Sequence, residues 1–267
     1  MNPEIIRRMA QLLDQRIPFA VATVVDARGS VPGKLGARMI VFADGSQEGT
    51  VGGAGLEQNI KALAVEAIRT HRSGTHRFEL ARQKPGALDS ICGGGVEVFV
   101  EYMAPGPHLL IYGCGHVGEA IARLCSQLDY SHSVADVRPG FATVERFPSA
   151  RHHFTLSPEE FFSQATLSDY SHLLILGHDH HIDGEIATAA LKGDFEGRIG
   201  IIGSRTKRNE FRSRCEKQGV TPELFDEKIT CPIGLSIQAE TPSEIAVAVL
   251  AQIIEQYRAT TPKPPRE

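Results

Sequence analysis

The chain has 267 residues, enough for one large domain or two modest ones with cores of their own. Apolar residues make up 42% of it, charged residues 22%, and the formal net charge is -4, a composition typical of soluble α/β proteins. Because the basic excess of nucleic-acid-binding proteins is missing, we expect no nucleic-acid partner. Five cysteines without a paired framework predict free thiols in a reducing compartment, the cytoplasm.

The N-terminal segment predicts a helix rather than a signal peptide. Its apolar residues recur at the spacing of an amphipathic helix, at Ile5, Ile6, Met9, Leu12 and Leu13. No stretch approaches the roughly 18 consecutive apolar residues that a membrane-spanning helix needs. We therefore expect a soluble protein that has no membrane partner.

The first part of the chain, residues 1–104, predicts a small α/β domain. Its segments read as strand, strand, helix, strand and strand, in the order FAVATVVDA, ARMIVFADGS, GLEQNIKALAVEAIRTHR, HRFELA and VEVFVEYM. Pro105, Gly106 and Pro107 then interrupt both kinds of element, so we place the domain boundary there.

Residues 105–267 predict a Rossmann-like, doubly wound parallel sheet. Short apolar strands alternate with helices, and the strands are LLIYG, HSVADV, HHF, HLLILG and RIGIIGS. Two helix starts carry a capping box with proline at the first helical position, at Ser157 to Glu160 and Thr241 to Glu244. The last helix, IAVAVLAQIIEQ, is apolar almost all round and should be buried.

A dinucleotide-binding fingerprint follows the first strand of this second part. Gly113, Gly115 and Gly118 stand at the spacing that gives a tight turn, close approach of a pyrophosphate, and close helix packing. Asp136 ends the next strand, where an acid would accept a hydrogen bond from a ribose hydroxyl. The pattern predicts a nucleotide-bearing ligand, and the alternative is a βα turn that binds nothing.

Two further loops fall at the same edge of the predicted sheet. In GHDHHIDGE, a metal could be ligated by His178, Asp179, His180, His181 and Asp183, or an aspartate could simply cap the next helix. In GSRTKRNE, Ser204 and Arg205 begin a helix where an anion is favoured, or they belong to a solvated basic face.

Glycine-rich loops in the first domain are typical of anion-binding nests. Arg28 and Ser30 lie in DARGSVPGKLGARM, and Gly52 and Gly53 lie in EGTVGGAGLEQN. Either loop is also compatible with an ordinary connection.

One cysteine stands among glycines, in the segment DSICGGGVEVFVE. Cys92 precedes Gly93 and Gly94, so its thiol is open to approach and its neighbours can donate N–H groups to an anion. The alternative is an inert buried thiol. The other cysteines, Cys114, Cys125, Cys215 and Cys231, are expected to pack as small apolar groups.

Eight ordered motifs resemble one family over residues 18–256. They are ARGSVPGKLGARM, EGTVGGAGLE, ICGGGVEVFVE, IYGCGHVGEAIARL, ADVRP, ILGHDHHID, IGIIGSRTKR and CPIGLSIQAETPSEIAVAVLAQII. In this order they resemble the xanthine dehydrogenase accessory proteins, the XdhC/CoxI family.

The resemblance implies a maturation factor for molybdenum hydroxylases. Members are associated with binding the molybdenum cofactor, in its molybdopterin or dinucleotide form, and with protecting it while a cysteine desulfurase installs its sulfido ligand. They deliver the cofactor to the apo-enzyme and are commonly homodimers. The resemblance implies that Cys92 contacts molybdenum or sulfur while the glycine loops hold the phosphate end.

One departure and one alternative qualify this interpretation. Some members carry two adjacent cysteines, whereas Ile91 precedes Cys92 here, so only a role for a single thiol is expected. The alternative function is an NAD(P)-dependent oxidoreductase, which the fingerprint from Gly113 to Asp136 alone would indicate. A weaker alternative is a metal-dependent hydrolase that uses the 178–183 loop.

Overall fold

The structure is a computed structural model that describes residues 3–29, 31, 33–80, 94–193 and 195–260. The chain divides into two compact units. One comprises residues 1–105 with 258–267, and the other comprises residues 106–257.

The first unit is built on an antiparallel sheet of five strands in the order β3-β2-β1-β5-β4. Its elements are α1 (Pro3–Asp14), β1 (Phe19–Gly29), β2 (Arg38–Val41), β3 (Gln47–Gly49), α2 (Ala54–Thr70), β4 (Gly74–Leu80) and β5 (Gly94–Met103). Both faces of the sheet are covered. Helix α2 packs on one face through residues such as Leu56 and Ile60, and α1 packs on the other through Ile5 and Leu12.

The second unit contains a parallel sheet of six strands in the order β11-β10-β9-β6-β7-β8. Its strands are β6 (His108–Tyr112), β7 (Ser131–Ala135), β8 (His153–Phe154), β9 (His172–Ile175), β10 (Arg198–Ile201) and β11 (Ile229–Thr230). Because β6 pairs with both β7 and β9, the strand order reverses between β6 and β9. In open α/β sheets this is where a crevice for a ligand forms, at the carboxyl edge.

Helices cover both faces of the parallel sheet. They are α3 (His116–Gln127), α4 (Pro158–Gln164), α5 (His180–Lys192), α6 (Arg205–Lys217), α7 (Pro222–Lys228) and α8 (Pro242–Thr260). One core includes Ile121 of α3 and Val249 of α8, and the other includes Phe161, Ile186 and Phe211 of α4, α5 and α6. The predicted α/β class, with a doubly wound parallel sheet in the second half, is therefore confirmed.

Local signals of the sequence account for the helix starts. Ser157 and Glu160 form the predicted capping box of α4, and Thr241 and Glu244 form the same box at α8. The burial expected for helix α8 holds for one face only, because Ala246, Val249 and Ile253 are buried whereas its first turn, Val247 and Glu255 are exposed. Among the described residues, no helix combines the length and the apolar character needed to cross a membrane.

Candidate functional site

The glycine turn after β6 brings two loops of the second unit together. Gly113 has a φ of 112°, and a side chain there would lie 2.6 Å from the backbone of Leu176, after β9. Only glycine permits both the positive φ and this close approach. The turn thus fixes the floor of the crevice between β6 and β9.

The other two glycines of the fingerprint have different surroundings. A Cβ on Gly118 would lie 2.3 Å from the carbonyl oxygen of Gly113, so this glycine allows α3 to pack against the turn. A Cβ on Gly115 would meet no atom within 4 Å among the described residues. Gly115 is the residue before α3, where first-turn N–H groups lack intrahelical acceptors, so the open space beside it suits an anionic ligand.

Asp136 lies at the end of β7, where it clamps the turn. Its Oδ2 accepts from Cys114 N–H at 2.8 Å and from Arg138 Nη2 at 2.8 Å, and its Oδ1 accepts from Arg138 N and Nε at 3.0 and 2.9 Å. A carboxylate offers about four acceptor positions, and here all are used. Although burial alone raises the pKa of Asp136, the bonds from Arg138 and Cys114 hold it below its ordinary value. The ribose-binding role of Asp136 stays a prediction, which requires Arg138 to move.

The four described cysteines are buried and free, which confirms their expected packing role. Burial raises the pKa of Cys114 and of Cys125 to about 12, and it also raises the pKa of Cys215 and Cys231. These thiols are therefore neutral and are poor nucleophiles at physiological pH.

A narrow crevice opens at the carboxyl ends of β6, β7 and β9. Tyr112, Gly113, Asp136, Gly177 and Asp183 contribute to its lining. Its enclosed part has a volume of about 10 Å³, roughly that of one water-sized group. It therefore admits a single projecting group of a ligand rather than a ring.

Asp183 is the unusual side chain of this crevice. It lies in the first turn of α5 and is only 2% exposed. Its Oδ1 has no hydrogen-bond partner among the residues that the structure describes. Burial raises the pKa of Asp183 to about 6, although the nearby Lys207 and the backbone N–H of Gly177 favour the charged form.

The 178–183 loop does not assemble a metal site in the described part of the chain. No three His, Cys, Asp or Glu side chains lie close enough there to hold an ion. His178 and His180 are exposed, and Asp179 caps α5 by accepting from the N–H groups of His181 and Ile182. The helix-capping interpretation of Asp179 is confirmed, and a metal bound by His178 and His180 has no third ligand in this loop.

Ser204 and Arg205 lie at the start of α6, after β10. The Ser204 hydroxyl caps the helix by accepting from Lys207 N at 3.3 Å, and Arg205 is exposed. Since β10 pairs with β9, this helix start neighbours the crevice edge. Anion binding there stays a prediction.

In the first unit, Arg28 and Gly94 come together across β1 and β5. Arg28 pairs in register with Gly95, and Gly29 pairs with Gly94. Arg28 and Gly95 border a crevice of about 140 Å³, whose lining also includes Arg77 and the carboxylates of Asp26, Glu79 and Glu97. Arg28 is exposed and bonds Asp26 at 2.9 Å, so its guanidinium is accessible to an anion.

The predicted nest at Gly52 and Gly53 already contains a carboxylate of the chain. Glu57 accepts hydrogen bonds from Gly52 N–H at 3.2 Å, from Gln47 at 3.2 Å and from the Thr50 hydroxyl. Burial alone raises the pKa of Glu57, but these bonds lower it below its ordinary value. Gly53 is the N-cap residue before α2 and has a φ of 78°. An external anion would have to displace Glu57 from Gly52.

Three predicted site residues, Ser30, Cys92 and Gly93, lie outside the described residues. Two carboxylates, Glu57 and Asp183, take roles that were not predicted from the sequence. Glu57 was interpreted only as part of the sequence pattern that predicts a helix, and Asp183 was grouped with candidate metal ligands. An acid four residues into a helix that follows a buried strand was the available signal for Asp183.

Comparisons with known proteins cover both units. The profile of the XdhC Rossmann domain matches residues 109–253, and that of the XdhC and CoxI family matches residues 12–79. A solved structure from Bacillus halodurans, described as a xanthine dehydrogenase, has a TM-score of 0.53 at 21% identity, over 95% of this chain and 96% of that chain. At this identity the likeness concerns the fold alone.

Two curated relatives share sequence with most or much of the chain. Uncharacterized protein YqeB of Escherichia coli (strain K12) is 33% identical over 253 residues, which cover 94% of this chain and 46% of that protein. A probable xanthine dehydrogenase subunit of Bacillus subtilis (strain 168) is 29% identical over 158 residues, which cover 59% of this chain and 45% of that protein. The chain thus spans about half the length of these relatives.

Proposed function

This chain belongs to the XdhC and CoxI family, and we propose that it acts in the maturation of a molybdenum hydroxylase of the xanthine dehydrogenase type. In this proposal it binds the molybdenum cofactor, protects it while a cysteine desulfurase installs the sulfido ligand, and delivers it to the apo-enzyme. The observation that carries the proposal is the match of family profiles to both units. The name of the Bacillus subtilis relative, a probable xanthine dehydrogenase subunit, supports the choice of partner.

The residues of the second unit fit the phosphate end of such a cofactor. The open space beside Gly115 adjoins the first turn of α3, whose N–H groups and dipole favour an anion. When bound, the cofactor supplies the molybdenum centre, and the chain binds and shields it. Cys92 remains the candidate thiol for that centre, and Arg28 and Gly94 lie on strands next to its segment.

The oxidoreductase alternative requires Arg138 to leave Asp136 for NAD, or to bind the 2′-phosphate of NADP. An NAD-type ligand needs an acid that is free to accept from the adenosine ribose. In this chain the four acceptor positions of Asp136 are filled by Arg138 and Cys114. Titration with NAD and NADP separates the alternatives, because micromolar binding of either one favours the oxidoreductase.

Co-expression tests the proposed maturation role. A xanthine dehydrogenase-type apo-enzyme is produced with the wild-type chain, without it, or with Cys92→Ala, using Cys125→Ala as the thiol control. We expect active, cofactor-loaded hydroxylase only with the wild-type chain and with Cys125→Ala. Equal hydroxylase activity with and without the chain would contradict the proposal.

The proposed assembly is a homodimer, as is common in the family. Light scattering of the purified protein should then give twice the 29.0 kDa mass of one chain. A mass of one chain at all concentrations would exclude the homodimer without affecting the maturation role.

A further inference from the structure

The unpaired oxygen of Asp183 is the feature of the second unit that its fold leaves unexplained. A buried acceptor without a hydrogen bond is unfavourable, and most buried polar atoms in folded proteins are therefore paired. Asp183 Oδ1 is buried and accepts no hydrogen bond of ordinary geometry in the described part of the chain, where the Gly177 N–H is the backbone donor near its carboxyl group, whereas every acceptor position of Asp136 nearby is filled.

The backbone around Asp183 holds this oxygen at the crevice. A Cβ on Gly177 would lie 1.8 Å from Asp183 Oδ1, so the carboxyl group occupies the space that any side chain at 177 would take. Gly177 follows β9, and Gly113 follows β6, on the two sides of the point where strand order reverses. The unpaired oxygen is therefore placed where open α/β sheets bind ligands.

The charges around the crevice select the kind of group that can enter. Asp136, Asp179 and Asp183 all line it, so a phosphate entering beside them would be repelled. A neutral hydroxyl or amino group instead donates a hydrogen bond to the unpaired oxygen. The enclosed volume of about 10 Å³ suits one such group, which would take the place of a water molecule.

We propose that Asp183 binds the hydroxyl or amino donor of a nucleoside- or pterin-type ligand whose phosphate lies at the start of α3. This inference rests on the proposed function for the identity of the full ligand. It adds a residue and a contact that the glycine fingerprint did not indicate. Gly177 is then required because its missing side chain leaves room for the carboxyl group.

Guanosine diphosphate is a suitable probe, because its 2-amino group is shared with the pterin ring and its ribose provides hydroxyls. Calorimetric titration of the full chain should show binding of guanosine diphosphate. Asp183→Asn should weaken that binding at least about tenfold, as expected for a hydrogen bond to a charged group. The matched control Asp169→Asn, at an exposed position before β9 and therefore at the opposite edge of the sheet, should change the dissociation constant less than about twofold.

Two analogues identify the donor. Inosine diphosphate lacks the 2-amino group, and 2′,3′-dideoxyguanosine diphosphate lacks the ribose hydroxyls. The analogue that lacks the donor should bind the wild type about as weakly as guanosine diphosphate binds Asp183→Asn. Its dissociation constant should increase little further when it is titrated into Asp183→Asn. Gly177→Ala, which displaces the carboxyl group, should reproduce the loss, with thermal unfolding used to verify folding.

The proposal is overturned if the wild type does not bind guanosine diphosphate, or if Asp183→Asn binds it as tightly. It is also overturned if Asp183→Asn weakens binding while neither analogue does. These outcomes are independent of the maturation assay. Loss of the maturation role with Asp183-dependent binding intact would reject the proposed function and keep this inference.

Discussion

Asp183 should make the folded protein less stable at neutral pH than it would be with a neutral side chain. Its carboxyl group has an ordinary pKa of 3.8, which applies to the unfolded chain, and burial raises the pKa to about 6 in the folded protein. Between these values the unfolded chain holds fewer protons, so the free energy of unfolding falls as pH rises from about 4 to 6. At pH values above this range, the free energy of unfolding is lower by about 3 kcal/mol than at pH values below it.

Asp183→Asn should therefore raise the free energy of unfolding by about 1 to 3 kcal/mol at pH 7.5 and change it little near pH 4. Urea unfolding at both pH values measures the difference. Asp169→Asn, which changes an exposed carboxylate before β9, should match the wild type at both. An Asp183→Asn protein that is less stable than the wild type at pH 7.5 would show that the carboxyl group has a partner in the folded state.

Asp136 should have the opposite effect, because all its hydrogen bonds are made. Asp136→Ala leaves the Cys114 N–H and the Arg138 guanidinium without their acceptor, which should lower the free energy of unfolding by about 2 to 4 kcal/mol. Asp26→Ala is the control, since its ion pair with Arg28 is exposed and should contribute less than about 1 kcal/mol. Equal losses in the two variants would mean that Asp136 does not clamp the turn.

At the scale of elements, the glycines of the turn between β6 and α3 have two different roles. Some are required by the fold, whereas another leaves space for a ligand. Gly113→Ala places a side chain at a residue with positive φ and against the backbone of Leu176. We therefore expect the free energy of unfolding to fall by about 3 kcal/mol or more. Gly115 has a φ of −77° and open space where a Cβ would lie, so Gly115→Ala should change stability by less than about 1 kcal/mol.

Thermal unfolding of the two glycine variants tests this distinction, and ligand titration extends it. Gly115→Ala should fold normally yet weaken binding of guanosine diphosphate, because the methyl group occupies the approach to α3. If Gly113→Ala unfolds at the same temperature as Gly115→Ala, the close approach of the two loops is not what the turn requires.

The strand β9 begins with a buried histidine that should make the parallel sheet sensitive to acid. Burial lowers the pKa of His172 from 6.5 to about 4, so the unfolded chain binds a proton at a pH where the folded chain does not. Stability is full above about pH 6.5 and decreases as pH falls towards 4, by up to about 3 kcal/mol.

His172→Phe removes this titration. Chemical unfolding at pH 7.5 and pH 5 should show a smaller acid-induced loss in the variant than in the wild type, whatever their stabilities at pH 7.5. An identical loss in both proteins would assign the acid sensitivity to other groups, such as His132, whose pKa burial also lowers.

The sequence predicted the longer elements and the two-residue strand β8, but it missed β3, β11 and α7. The 3.6-residue pattern indicated α2 and the capping box indicated α4, and both are present. Strand β11 has two residues and α7 has seven, too few to show a period, and their structure depends on packing against β10 and α6.

The candidate site was predictable from the sequence only at positions where the backbone geometry requires a particular residue type, such as glycine. Gly113 and Gly118 have the close contacts that the fingerprint implies. The partners of Asp136 and Asp183 were not predictable, because they depend on which side chains the fold brings to the carboxyl edge. Arg138, two residues from Asp136, fills three of the acceptor positions of Asp136.

At the scale of the whole molecule, the proposed function assigns a binding role to a crevice in each unit. The first presents Arg28 beside a crevice of about 140 Å³, and the second presents the start of α3 and the Asp183 crevice. Because family profiles match each unit, the proposed function applies to the chain as a whole rather than to a Rossmann domain alone.

The most direct measurement is the molybdenum and pterin content of the chain, purified from cells that make the cofactor. We predict near-stoichiometric amounts of both in the wild type, retention in Cys125→Ala, and loss of molybdenum in Cys92→Ala. A wild-type protein that contains neither molybdenum nor pterin, from cells in which a molybdenum hydroxylase is active, would contradict the central claim.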